Sequence, residues 1–263
     1  MSVERILHFG PEGRLFGLLA GTPDTRTRQV LVLLNAGAMP RIGPFRLYVE
    51  LSRRLARSGT PVFRMDMPGV GESPMLSDLS ELEALSAGMD RIAAEFGCDR
   101  FVVGGICSAS DVAWRLSEQD PRVCGLLLLD PVAFRGPWFW LERWRAFLAK
   151  PPAHWWKVLR RRLRPANRTA GPAAADFRDW PNLQQARAHL RTLLSRNARM
   201  LFVYTGSASD RFRDRRQLAW AFGSEARDPA VQLHFWPGSD HLFYLRAYRE
   251  KLMDAIDRWL RGP

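Results

Sequence analysis

The segment Arg100 to Ala113, RFVVGGICSASDVA, constrains the fold of this chain more than any other stretch. Phe101 to Val103 is a short apolar, β-branched run that predicts a buried strand. Asp111 to Leu116 reads as helix. Only Gly104, Gly105, Ile106, Cys107, Ser108, Ala109 and Ser110 lie between them. A chain that passes from strand to helix in so few residues turns sharply, and side chains two places either side of the apex must be small. Gly105 and Ala109 flank Cys107 in that way. The apex side chain is then presented at a helix N-terminus, where the helix dipole stabilises negative charge. Cys107 is therefore either a nucleophile at a strained turn or a buried structural thiol. Ser108 is the competing nucleophile, but that frame puts Ile106 where a small residue is required.

The rest of the chain repeats the same alternation. Residues 3 to 9 and 14 to 20 predict a hairpin around Gly10-Pro11-Glu12-Gly13. Apolar runs at Val30 to Leu34, Pro61 to Met65, Val123 to Leu129, Arg199 to Tyr204 and Val231 to Trp236 predict buried strands. Helical spacing marks Phe45 to Ser58, Leu79 to Phe96, Arg215 to Phe222 and Tyr244 to Leu260. Strands alternating with helices imply an α/β fold: a mostly parallel central sheet with helices on both faces. The 263 residues suit a single domain spanning 1 to 263, with an insertion at about 131 to 195 where the alternation breaks.

In such sheets ligands bind beyond the carboxyl ends of the strands. The chemically capable residues fall there: Asn35 to Ala38, Cys107, Asp130, Asp210 and His241. A protonated thiol is a weak nucleophile, and an adjacent imidazole can take its proton while a carboxylate fixes the imidazole tautomer. His241 and Asp210 follow the last two predicted strands and are placed for those roles, with Asp130, one strand earlier, as the alternative acid. Asp240 reads as an exposed loop carboxylate, and Asp66 as the residue that holds the turn after its own strand.

Taken together, these pieces resemble the α/β-hydrolase superfamily over nearly the whole chain. The resemblance rests on Leu33-Leu34-Asn35-Ala36-Gly37 as strand and oxyanion loop, and on Asp66-Met67-Pro68-Gly69-Val70-Gly71-Glu72-Ser73 as the family's D-x-x-G-x-G-x-S turn. It rests further on Gly105 to Ala109 as the nucleophile elbow, Thr205 to Asp210 as the acid loop and Gly238-Ser239-Asp240-His241 as the histidine loop. Within the superfamily the chain looks most like serine aminopeptidase-like, or monoacylglycerol-lipase-like, hydrolases. A softer resemblance is to bacterial exopolysaccharide- or exosortase-associated relatives with Cys at the elbow. It departs from the usual pattern at Asn35-Ala36, where the family has His-Gly, and at Cys107, where it has Ser.

The resemblance implies hydrolysis or transfer of an acyl group from an ester or thioester by a Cys107, His241, Asp210 triad. Gly37, with Ala36 the alternative, and Ser108 would supply the oxyanion N–H groups. No metal or organic cofactor is implied. The alternative is a non-catalytic binding or scaffold protein of an envelope-polysaccharide system, which the two departures would mark.

The insertion carries the charge. Between Pro131 and Trp180 there are 11 Lys and Arg against 3 Asp and Glu, a net +8 of the chain's +12, and six of its ten tryptophans. In the family this position holds a lid, so Trp138, Trp140 and Trp144 are expected to line an acyl pocket. The run Trp155 to Arg164 is amphipathic and basic, fitting a lid with a solvated face, an anionic membrane surface or an acidic carrier such as acyl carrier protein or coenzyme A phosphates. Nucleic acid is set aside because no recognition motif accompanies the charge. The three cysteines have neither zinc nor C-x-x-C spacing. The first residues lack a basic-then-apolar signal pattern, so a cytoplasmic location, peripheral at most to the inner membrane face, is expected. The oligomeric state is not legible.

Overall fold

Side chains that alternate along buried strands must be covered on both sides, and the computed structural model of the chain shows how. It describes residues 4–22, 29–151 and 180–262. The strands are Glu4–Phe9 (β1), Leu15–Ala20 (β2), Gln29–Leu33 (β3), Val62–Met65 (β4), Arg100–Ile106 (β5), Val123–Leu129 (β6), Arg199–Thr205 (β7) and Val231–Trp236 (β8). They form one sheet in the order β1-β2-β4-β3-β5-β6-β7-β8. β1 and β2 pair antiparallel, as does β2 with β4. All pairs from β4 through β3 to β8 are parallel.

The helices are Leu47–Arg57 (α1), Glu81–Phe96 (α2), Ser108–Gln119 (α3), Pro137–Leu148 (α4), Leu183–Ser195 (α5), Arg216–Phe222 (α6) and Arg246–Arg261 (α7). Val102, Leu127, Leu129, Leu201 and Val203 point to one face of the sheet, where α1 and α7 cover them. Phe101, Val103, Leu126, Leu128 and Phe202 point to the other, under α2, α3, α5 and α6. This period-two split is why the strands read as continuous apolar runs. Helix α5 lies within the stretch read as insertion, yet its Ala186, Leu190 and Leu193 belong to this second core.

Two caps hold helices in register with their strands. Ser80 accepts from the Glu83 amide while the Glu83 carboxylate accepts from the Ser80 amide, closing a capping box at α2. Asn182 and Gln185 do the same for α5. The chain runs from β3 outward to β4, then crosses back to β5 on the other side of β3. Loops from β3 and β5 therefore diverge at their carboxyl ends and leave a crevice there. Among the described residues no helix is long and apolar enough to cross a membrane.

Candidate active site

Backbone sterics build the elbow between β5 and α3. Cys107 has φ 58° and ψ −120°, a strained conformation for a residue with a side chain. Neighbouring hydrogen bonds hold it: the Cys107 amide donates to Leu129 O at 2.8 Å and the Ser110 amide donates to Cys107 O at 2.9 Å. Gly105 has φ 156°, and a β-carbon there would lie 2.6 Å from Tyr48 Oη and 2.8 Å from Ala109 Cβ. The two small residues around Cys107 thus meet each other across the turn, as the sequence pattern requires. Tyr48, fully buried, accepts from the Ile106 amide at 2.9 Å and braces the last residue before the apex.

His241 follows β8 in a loop anchored by its own amide, which donates to Ser207 Oγ at 2.9 Å. Its Nδ1 lies 2.7 Å from Asp130 Oδ2. With Nδ1 turned to the carboxylate, Nε2 is left for the Cys107 thiol, to which the ring is also hydrogen-bonded. Asp130 ends β6, buried and with φ 49°. Its Oδ1 accepts from the Thr205 amide and its Oδ2 from Thr205 Oγ1, both at 2.6 Å. The hydrogen bond that His241 donates to Asp130, then that with Cys107, raise the pKa of His241 to about 9, against an opposing contribution from burial.

Asp210 is the acid expected from the sequence, but the structure does not bring its carboxylate to His241. The turn Gly206–Asp210 after β7 carries its carboxylate away from His241, where it is 56% exposed and paired with Arg211 at 3.2 Å. Asp130 reaches the imidazole instead, because β6 lies between β5 and β7, so its end already faces the elbow. Thr205, which sequence reading treated only as the start of the acid loop, is the residue that orients this carboxylate. Its signal was present: a hydroxyl residue at the end of a strand adjacent to the one ending in Asp130.

Gly37 and Ser108, the expected oxyanion donors, do come together. The Gly37 amide donates to Ser108 Oγ at 3.0 Å, and the Ser108 amide is the first of α3. Asn35, where the family has His, ties this loop to the one after β4. Its Oδ1 accepts from the Met67 amide at 2.6 Å, and its Nδ2 donates to Met39 O at 2.9 Å and to Asp66 Oδ1 at 3.3 Å. Asp66 also accepts from the Arg41 amide at 2.8 Å and the Glu72 amide at 3.2 Å, and pairs with the Arg41 guanidinium. A β-carbon at Gly71 would strike its carboxylate at 2.3 Å. Asp66 thus holds its turn, as its position suggested. Asp240 accepts from the Leu242 and Tyr244 amides, both at 2.9 Å, and shapes the histidine loop.

A cavity of about 340 Å³ opens beside Gly37 and Ser108. The three tryptophans expected to line an acyl pocket are not among its walls. Trp138 lies under the Arg216 guanidinium at 3.8 Å, and Trp140 and Trp144 are 45% and 62% exposed on α4. The basic run Trp155 to Arg164 lies outside the described residues. Among the described residues no cluster of three or more His, Cys, Asp or Glu side chains is arranged to hold a metal ion.

An eight-stranded sheet with a strained elbow, a histidine loop and an acid at a neighbouring strand end is the architecture of an α/β-hydrolase. The chain belongs to the alpha/beta hydrolase family, whose model matches residues 31–255, and it is an enzyme of the hydrolase class. No curated protein matches the sequence. Among solved structures it is similar to an esterase of Pyrococcus furiosus, with 14% identity over 99% of this chain and 90% of that one, at a TM-score of 0.61. It is also similar to the esterase domain of a Rhodothermus marinus protein, with 17% identity over 99% and 98% and a TM-score of 0.57. A thioesterase domain from the curacin biosynthetic pathway gives 17% identity over 97% and 99%, with a TM-score of 0.55. At these identities the likeness is one of fold.

Proposed function

We propose that this hydrolase cleaves, or transfers, an acyl group from an ester or thioester through a Cys107, His241, Asp130 relay and a thioester acyl-enzyme. The observation that carries this reading is His241, hydrogen-bonded through Nδ1 to a buried carboxylate at 2.7 Å and through its remaining face to the elbow thiol. The likeness of the fold to esterases and to a thioesterase domain supports the substrate class.

The steps follow from the arrangement. Cys107 gives its proton to His241, and the thiolate attacks the carbonyl carbon. The carbonyl oxygen displaces the Ser108 hydroxyl from the Gly37 amide and becomes an oxyanion held by the Gly37 and Ser108 N–H groups. One preorganised donor of this kind is worth about 3 kcal/mol. As the tetrahedral species collapses, the bond to the leaving alkoxide or thiolate breaks, and His241 protonates it. Water, or an acceptor alcohol in transfer, then gives a proton to His241 Nε2 as it attacks the thioester. The Cys107 thiolate departs, leaving the acid or the new ester. Asp130 keeps its proton-accepting face on Nδ1 throughout, so the ring cannot present the wrong nitrogen to the thiol.

Turnover of activated esters and thioesters by wild type and by Cys107→Ala tests the reading. Loss of turnover in a variant that still folds supports it. Full activity in that variant overturns the nucleophile assignment.

A further inference from the structure

Three groups surround a carbonyl carbon under attack: the oxygen, the leaving group and the acyl chain. If the proposed relay operates, two of the three directions are taken. The oxygen sits between the Gly37 and Ser108 amides, and the leaving group sits within reach of His241. The acyl chain must leave by the third. The cavity of about 340 Å³ includes Gly37 and Ser108 in its lining and no residue of the histidine loop. Its other walls include the apolar Met67, Val70, Met75, Leu76, Leu79 and Val112, together with the polar Asn35, Ser77 and Ser80 and the acidic Glu81.

We propose that this cavity, between the oxyanion loop, the loop after β4 and the first turns of α2 and α3, binds the acyl chain, and that the chain it fits is unbranched, free of negative charge and of medium length. The proposal rests on the acyl-transfer reading above. Length follows from volume. At about 30 Å³ for a water-sized group, the cavity holds on the order of ten such groups. A chain ending in a carboxylate is excluded, because it would lose hydration against the apolar walls and meet the like charge of Glu81. Two of the walls are methionines, whose unbranched thioether side chains adapt to a flexible ligand. Leu76 and Met75 lie in the loop after β4, so the depth of the cavity is set by a surface loop and not by the sheet.

The experiment is an acyl-chain series of p-nitrophenyl esters, from acetyl to hexadecanoyl, read as kcat/KM. Wild type should gain roughly threefold per added methylene up to octanoyl or decanoyl, as burial of each adds to transition-state binding, and should gain nothing beyond. Leu76→Trp should lower the octanoyl-to-acetyl ratio at least tenfold and move the optimum to shorter chains, while Val112→Ala should move it to longer ones. Each ratio is taken within one variant, so a fault in the relay, which lowers both esters together, is distinguished from a filled cavity. A flat profile from acetyl to decanoyl, or a Leu76→Trp variant with an unchanged ratio, overturns the proposal. If no ester is turned over, the hydrolytic reading fails and calorimetry with uncleavable methyl ketones carries the test. 2-Decanone should then bind at least tenfold tighter than 2-butanone and lose that advantage in Leu76→Trp; equal affinities overturn the cavity assignment.

Discussion

At the scale of single residues, the proposed relay assigns different fates to two aspartates that look equivalent in the sequence. Asp130 is buried against His241 and Thr205, whereas Asp210 is solvated beside Arg211. Asp130→Asn should therefore cut kcat/KM by about two to four orders of magnitude through loss of the correct tautomer, while Asp210→Asn stays near wild type; steady-state kinetics on one ester decide between them. Thr205→Val, which removes one hydrogen bond to a carboxylate, should cost on the order of tenfold. The pH profile offers an independent reading of the same contacts. Asp130 and Cys107 hold His241 up to about 9, so the imidazolium that protonates the leaving group persists through the neutral range. For an ester with a poor leaving group, kcat/KM should fall on the alkaline side with an apparent pKa near 9. In Asp130→Asn that limb should move to lower pH, because the largest contribution has gone. The same shift acts on folding. A histidine raised above its ordinary value of 6.5 stabilises the fold fully below that value, and the gain is lost as pH rises through about 9. Thermal denaturation between pH 6 and 10 should show this decline in wild type and a weaker one in Asp130→Asn.

At the scale of elements, close backbone approach around the elbow is the feature most sensitive to change. A β-carbon at Gly104 would lie 1.9 Å from Leu127 O on β6. Gly104→Ala must push β5 and β6 apart where the relay spans them, and overpacking of this kind costs about 1–3 kcal/mol. A fall in Tm on the order of 5 °C should accompany it, together with lost activity, since Cys107 rides on β5 and Asp130 on β6. The glycines, the apolar runs and the histidine loop were legible in the sequence because each is a local requirement: a turn, a buried strand, a strand end. The identity of the acid was not. Asp130 directly follows β6 and Asp210 closes the turn after β7, and the lateral order of those strands and the φ of 49° at Asp130 decide which carboxylate reaches the imidazole. The tryptophans of α4 misled for a related reason. Trp138, Trp140 and Trp144 are apolar enough to line a pocket, but which helix face meets the crevice depends on packing against α6 and not on spacing. The cavity walls come instead from a loop with no periodicity to announce it.

At the scale of the whole molecule, several exposed apolar side chains follow the carboxyl ends of the strands. Phe45, Trp140, Trp144, Tyr244 and Leu245 are all exposed, and each follows the carboxyl end of a strand, β3, β6 or β8, the edge that also carries Cys107. The connection between β6 and β7 contains the basic run Lys157 to Arg164 and most of the net charge of +12. A chain with this basic run in its sequence and these exposed aromatic side chains is expected to bind an anionic lipid surface. Basic residues at such a surface contribute about 1 kcal/mol each, and this attraction is screened within roughly 8 Å at physiological salt. Sedimentation with vesicles rich in phosphatidylglycerol should therefore show binding at low salt that falls steeply as salt rises. Replacing Arg160, Arg161 and Arg162 together by Gln should remove most of the salt-dependent part. Trp144→Ala, Trp155→Ala and Trp156→Ala should reduce the residual that salt does not touch, because Trp favours the headgroup level. Turnover of a small soluble ester should change little in the Arg variant, since those residues are proposed to engage a surface and not the reacting carbonyl. If wild type ignores anionic vesicles at low salt, the basic run binds no membrane, and the membrane proposal fails while the proposed relay is untouched.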